Sequence, residues 1–376
     1  MCKENKIKLD ISFGVFLFIN LLFSIKYLER TTKYYIVLSL AISGIYILLW
    51  SIKNILNSLN TYLKWFNLFG LLSFIIGGIY IFKIIPVESL NVDRWSIITG
   101  FWDTVMSGEY AYYGKGHTGN PPGPMPFYFL LAYPFYLIGE LGFYSLLAIL
   151  VFYFLLHYTN FHVYLKTIGI VLIMLSSFYL WEVVSRSNIF TNSVLILLSM
   201  LYILKQKSFN SRNILISGII TGLLLSTRNV FIITYLIIFL YLLRTKKITT
   251  FQVVAIGGIA VLFFSLTFIP VIIGHYDAFF EINPFVIQSS FLIPFEYTLG
   301  FIIMAIVFSF FCKTDNDVLF YSGFTLLLSI LIYFLYHIIT SGFEIAYFKS
   351  KCDISYFILC TPFLIYYLLL QSKKTT

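Results

Sequence analysis

The chain has 376 residues, of which 60% are hydrophobic and only 11% charged, with a formal net charge of +9 and a mean hydropathy of +0.91. A soluble domain carries about 25% charged residues, so a water-facing fold could not hide this much apolar surface. No strand alternation or aromatic-girdle pattern points to a barrel, and the backbone in lipid must then be satisfied within helices. The expected fold class is an all-α polytopic membrane protein, read as one membrane domain over 1–376 without internal repeats.

In chain order, the first apolar run, Ile11 to Ile25, is followed by charged residues and by no small-residue cleavage site. It reads as a retained anchor. Runs approaching the ~20 apolar residues of a bilayer span recur to the end. They predict about twelve spans: 9–26, 34–51, 65–86, 142–158, 163–181, 189–204, 213–226, 229–243, 252–274, 297–312, 318–339 and 354–370. The short pair around Arg228 also fits tilted or broken helices. The organisation is then 1–64 with two spans that could be an appendage, 65–158 with a core span, a large loop and a re-entry span, and 159–376 with the remaining spans. Cys2, Cys312, Cys352 and Cys360 show neither CxxC nor metal-ligand spacing, and no redox role is expected of them.

Glu88 to Pro126 is the one long stretch too polar for lipid, ESLNVDRWSIITGFWDTVMSGEYAYYGKGHTGNPPGPMP. The apolar segment that follows, Pro126 to Glu140, is short and interrupted by Pro134. Charge bias decides whether it crosses, because cytoplasmic loops concentrate Lys and Arg. With a cytoplasmic N-terminus and this segment lying along the outer surface, the inner side collects fifteen basic and four acidic residues, and the outer side ten and twelve. The net charge divides into +11 inside and −2 outside. Both termini are therefore expected in the cytoplasm and the Glu88–Pro126 loop outside, and the basic balance calls for no nucleic-acid partner.

On that outer face the candidates are Asp93, Arg94, Asp103, Glu109 and His117 in the loop, Arg186 and Arg228 between later spans, His275 after the ninth, and Lys349 and Lys351 before the last. Acids and cations on one face suit a phosphate-bearing substrate: Arg and Lys clamp phosphate oxygens, and a carboxylate takes a proton from an attacking hydroxyl. Each has a plainer reading. Asp93 or Asn91 could simply cap the helix that follows, and the cations could snorkel to headgroups. Trp95 and Trp102, a heptad apart, predict an interfacial helix. His117 and His275 lack paired ligand spacing for a metal.

The order Asp93–Arg94–Trp95, Met106–Ser107–Gly108–Glu109–Tyr110, Asn120–Pro121–Pro122–Gly123–Pro124 and a short apolar helix ending at Gly139 resembles the first external loop of the GT-C superfamily of integral-membrane glycosyltransferases. The motif resemblance covers about 87–158. It implies transfer of a sugar, with inversion, from a polyprenyl-phosphate-linked donor to a glycan or lipid-linked acceptor at the outer face of a bacterial plasma membrane, with membrane lipid as surroundings. It implies Asp93 as general base, with Asp103 or Glu109 as a second acid. Arg94, Arg186, Arg228, Lys349 or Lys351 would meet the lipid phosphate. Val92 and Arg94 flank a single acid where several members carry a pair. No cofactor is firmly implied, and a divalent metal is disfavoured because it usually needs more than one oxygen ligand. The competing readings are a polysaccharide polymerase or ligase, which usually places its large external loop late, and a transporter of lipid-linked glycans, for which an internal repeat is expected.

Overall fold

The computed structural model describes residues 3–53, 60–290 and 293–373; Cys2 and Lys374 lie outside the described residues. Among the described residues the regular structure is all helical. In order the α-helices are α1 (Lys3–Glu29), α2 (Tyr35–Ser51), α3 (Asn60–Ile84), α4 (Arg94–Met106), α5 (Pro126–Ile138), α6 (Gly142–Tyr158), α7 (Val163–Leu175), α8 (Ser177–Val184) and α9 (Ile189–Leu204). They continue with α10 (Ser211–Leu225), α11 (Ile232–Arg244), α12 (Thr250–Leu266), the short α13 (Ile269–Ile272), α14 (Tyr276–Glu281) and α15 (Pro284–Ser290), then α16 (Phe295–Phe311), α17 (Asp315–Ser341) and α18 (Thr361–Lys373).

Each segment expected to span is helical. Among the described residues five stretches are long and apolar enough to cross a membrane: Lys3–Glu29, Tyr62–Ile84, Thr250–Ile272, Asp315–Ser341 and Ile354–Lys373. The number rises to seven where each of two helix pairs forms one broken span, α5 with α6 and α7 with α8. The other apolar helices have 10–17 residues. At 1.5 Å per residue, a 17-residue helix reaches about 25 Å, short of the ~30 Å hydrocarbon core. By length and composition, five to seven helices among the described residues qualify as candidate spans; the remaining expected spans are helical but shorter.

The chain forms two compact units, each built from separate stretches of sequence. The first comprises Met1–Ile85, Gly142–Val194 and Leu327–Thr376. Its centre is the break between α7 and α8, where Ser176 and Ser177 interrupt an apolar run. A broken helix exposes backbone groups that lipid cannot satisfy. Here Asn20 of α1 accepts from the Ser177 amide at 2.8 Å, and the Tyr46 hydroxyl of α2 donates to the Leu175 carbonyl at 2.8 Å. Phe16 packs edge-on against Tyr46 and Phe178, closing aromatic rings around these bonds.

The second unit comprises Pro86–Leu141 and Leu195–Leu326. Its tightest helix pair is α10 with α12. Gly218 and Gly222, four residues apart on one face of α10, lie so close to Ile259 and to the Ala260 backbone that a Cβ at either would collide. Small residues at this spacing let helix backbones approach where no hydrophobic force drives them together. The same unit holds α4, α5 and the loop between them.

Candidate functional site

The Trp-bearing stretch predicted as an interfacial helix is α4. Its C-terminus is closed by Gly108 in the left-handed region (φ +80°), with the Gly108 amide donating to Val105 and the Glu109 amide to Thr104, both at 3.1 Å. Only a residue without Cβ adopts that conformation at little cost. α5 lies against α4: the rings of Phe101 and Phe129 stack at 3.8 Å, and the Trp102 indole donates to the Phe129 carbonyl at 3.1 Å.

Asp93 occupies the N-cap position of α4 but does not act as a cap. Its φ and ψ are −91° and 12°, and its side chain makes no cap hydrogen bond. The carboxylate turns instead to the loop between α4 and α5. Thr118 Oγ1 donates to it at 2.8 Å and Asn120 Nδ2 at 2.7 Å, both onto Oδ2. Asn120 Nδ2 also reaches Thr118 Oγ1 at 3.1 Å.

A tight turn brings these donors together. The Gly116 amide donates to Asn120 O at 2.9 Å, the Gly119 amide to Gly116 O at 2.8 Å, and Gly119 has φ +84°. Gly116 lies directly on the helix start, where an added Cβ would stand 3.0 Å from Ser96 Oγ and 3.2 Å from Asp93 Cβ. Upstream, a Cβ on Gly114 would strike the Gly100 carbonyl. Glycine at 100, 114 and 116 is what allows this loop to lie flat on α4.

Asp93 is half-buried. Burial alone pushes its pKa up, but the Arg94 charge and the hydrogen bonds from Asn120, Thr118 and its own backbone amide outweigh that effect and hold the carboxyl below its ordinary value. The group is therefore an anion at neutral pH. One oxygen is fixed by two donors, and Oδ1 accepts no side-chain hydrogen bond among the described residues.

His117 stands beside this carboxylate in a supporting position. Its Nε2 is 3.1 Å from the Leu90 carbonyl and its Nδ1 2.8 Å from Ser96 Oγ. A ring nitrogen facing a carbonyl must carry a proton, so in the neutral ring Nδ1 accepts from the Ser96 hydroxyl. The ring also stacks on Trp95 at 5.6 Å. Both nitrogens are thus used in pinning the loop to α4. Among the described residues no three His, Cys, Asp or Glu side chains converge as a metal site.

The other candidates differ in what they contact. Asp103 accepts from the Tyr136 hydroxyl of α5 at 2.6 Å. It lies ten residues along α4 from Asp93, about 15 Å at the helical rise, and serves the α4–α5 contact. Glu109 is exposed just beyond the Gly108 turn. His275 precedes α14, its ring 6.1 Å from that of Tyr110. Arg228 is nearly buried, in extended backbone, with its guanidinium carbon 5.4 Å from the Tyr128 ring centroid. The chain around it receives the start of α5: Met125, Phe127 and Tyr128 amides donate to Thr227 O, Ser226 Oγ and Ser226 O at 3.4, 3.3 and 3.2 Å. The Pro-Pro segment thus delivers α5 beside Arg228.

Arg186, Lys349 and Lys351 belong to the first compact unit. Arg186 is 1% exposed and has φ +53°. Its guanidinium donates to the carbonyls of Val184, Phe82 and Ile85 at 2.7, 3.1 and 2.8 Å, which makes it a cap on the C-terminal end of α3. Lys349 pairs with Glu344 at 3.3 Å, both exposed, and Lys351 donates to Ser341 Oγ at 2.7 Å.

Sequence reasoning missed Thr118 and Asn120 as partners of Asp93, and Ser96 as partner of His117. The available signal was two short donors two residues apart in a turn that contains Gly116 and Gly119. Compared with protein-family models, curated proteins and solved structures, the chain matches none.

Proposed function

We propose that this chain is a membrane glycosyltransferase of GT-C type, with about twelve spans, cytoplasmic termini and the Asp93 loop on the outer face of a bacterial plasma membrane. It transfers a sugar from a polyprenyl-phosphate donor to a glycan or lipid-linked acceptor. The observation that carries this reading is the Asp93 carboxylate, held ionised and oriented through Oδ2 by Thr118 and Asn120. That arrangement leaves Oδ1 to accept a proton.

In the reaction the acceptor hydroxyl oxygen attacks the anomeric carbon from the face opposite the lipid phosphate. The new C–O bond forms as the bond to phosphate breaks, the hydroxyl proton passes to Asp93, and the polyprenyl phosphate leaves with the electron pair. A carboxylate of low pKa is a weak base towards a free alcohol. It suffices here because the hydroxyl becomes strongly acidic once its oxygen bonds to the electron-poor anomeric carbon, so proton transfer comes late. Arg94 and Arg228, in the same compact unit as Asp93, are the cations assigned to the leaving phosphate, where they oppose charge that grows in the transition state.

The test is product analysis of purified protein with a panel of polyprenyl-phosphate sugars and membrane extract. Wild-type protein is expected to form a glycosylated product with one donor, and Asp93→Asn about 1,000-fold less, while still inserting and folding. Undiminished turnover by Asp93→Asn overturns the base assignment. A reporter fused after Asn120 that signals from the cytoplasm overturns the topology.

A further inference from the structure

The last turn of α1 holds a cation in a setting that membrane proteins ordinarily avoid. Lys26 is 2% exposed, and its ammonium lies 5.7 Å from the Tyr347 ring centroid. Among the described residues no carboxylate pairs with it: Glu29, three residues on in α1, is exposed, and the titratable groups that act on it are Arg30 and the Cys352 thiol. Arg30 is one turn further on and exposed, its guanidinium carbon 5.1 Å from the Tyr27 ring. Cys352 offers no counter-charge, because burial pushes its thiol up to about 12 although a Tyr333 hydrogen bond and Lys26 oppose that. Tyr347 is a neutral donor, its hydroxyl bonded to the Leu22 carbonyl at 2.5 Å. The nearest acid in its own helical turn, Glu344, is paired with Lys349.

Two cations one turn apart on a helix repel each other, and burying one of them without an anion is costly. The arrangement becomes favourable when an anion bridges them. The rings around the site indicate its depth. Trp181 packs on Phe23 and Tyr27 at 5.5 and 5.9 Å, and Phe343 stacks on Tyr347 at 5.2 Å. Trp and Tyr collect at headgroup level, here at the end of a 27-residue apolar helix. The anions found at that depth are lipid phosphates.

We propose that Lys26 and Arg30 form a binding site for the phosphodiester headgroup of an anionic membrane lipid, with the Lys26 ammonium at its base and the Arg30 guanidinium at its rim. The site is independent of the glycosyltransferase reading and uses none of the residues assigned to it.

Native mass spectrometry of the full chain in detergent, with an equal mixture of phosphatidylglycerol and phosphatidylcholine, tests this. Wild-type protein is expected to retain phosphatidylglycerol preferentially. Lys26→Met and Arg30→Gln should each lower that preference about tenfold, as loss of one charge-assisted contact does. Lys33→Gln, an exposed cation beyond the site, should change it less than about twofold in a screened setting. Wild-type preference in Arg30→Gln or in a folded Lys26→Met overturns the proposal. So does an equal loss in Lys33→Gln, which would mark a general charge effect. Displacement of the lipid by inorganic phosphate at matching concentration would make this a free-anion site and overturn the lipid assignment. Arg30, being exposed, keeps the test decisive if Lys26→Met does not fold.

Discussion

At Arg186 a buried guanidinium donates to three backbone carbonyls; at Asp93 a half-buried carboxylate accepts two side-chain hydrogen bonds on one oxygen. Both residues were candidates on the same ground, as charges near the outer ends of apolar runs. The structure separates them by valence. Arg186 has its donors turned to the end of α3, so its charge is absorbed by a helix terminus. Asp93 is aligned and kept ionised while part of its acceptor capacity is left over. A charge engaged by backbone on several sides supports the fold, whereas one that is oriented but incompletely engaged can do chemistry.

The contrast can be broken by substitution, and the largest effect is expected at Asp93. Asp93→Asn should lower sugar transfer by about 1,000-fold, the scale of general-base catalysis, with little change in melting temperature. Arg186→Met should do the reverse, destabilising the first compact unit by about 3 kcal/mol as buried carbonyls lose a charged donor. Denaturant unfolding measures it, and a stable but inactive Arg186→Met would return this residue to the phosphate-binding set.

Gly114→Ala probes how the loop is held. Its Cβ would meet the Gly100 carbonyl, and relieving that clash should cost about 2 kcal/mol. Protease resistance of the loop after Tyr113 should fall, with activity falling alongside.

Asn120→Ala sharpens the comparison further by removing one donor while keeping the carboxylate. Folding lowers the Asp93 pKa, so its contribution to stability is present above the unfolded value and is lost as pH falls through the folded one. Without Asn120 the folded pKa should rise towards the ordinary value. The acid limb of the pH–rate profile should then move upward, with transfer at neutral pH reduced about tenfold. An unmoved limb would mean that Asp93 is not the group titrating. The smallest effect is expected at Asp103→Asn, which loses only the Tyr136 contact between α4 and α5. Activity should stay within about threefold and stability within about 1 kcal/mol; a large loss of activity would make Asp103 the second acid.

Much of the helical framework was legible in the sequence because apolar run length is a local property. The run through Asp315–Ser341 and the Gly108 and Gly139 helix ends needed nothing beyond neighbouring residues. The number of crossings was less legible. Ser176–Ser177 breaks what reads as a single run, and only the tertiary bonds from Asn20 and Tyr46 make that break tolerable. At the candidate site, Asp93 was legible as a polar residue heading a Trp-bearing helix. Its partners were not, because Thr118 and Asn120 lie 25 and 27 residues away and reach it through a glycine turn.

The sequence by itself determined that this is a helical chain with segments long and apolar enough to cross a membrane and one long polar loop, and which residues there carry charge. Composition and periodicity are sums over near neighbours, and these are sufficient for that. Only the tertiary structure decided which charge caps a helix, which is oriented with acceptor capacity left over and which, as at Lys26, is buried with no described carboxylate paired to it. A side chain's role depends on how many of its hydrogen-bonding valences are filled, and residues distant in the chain fill them.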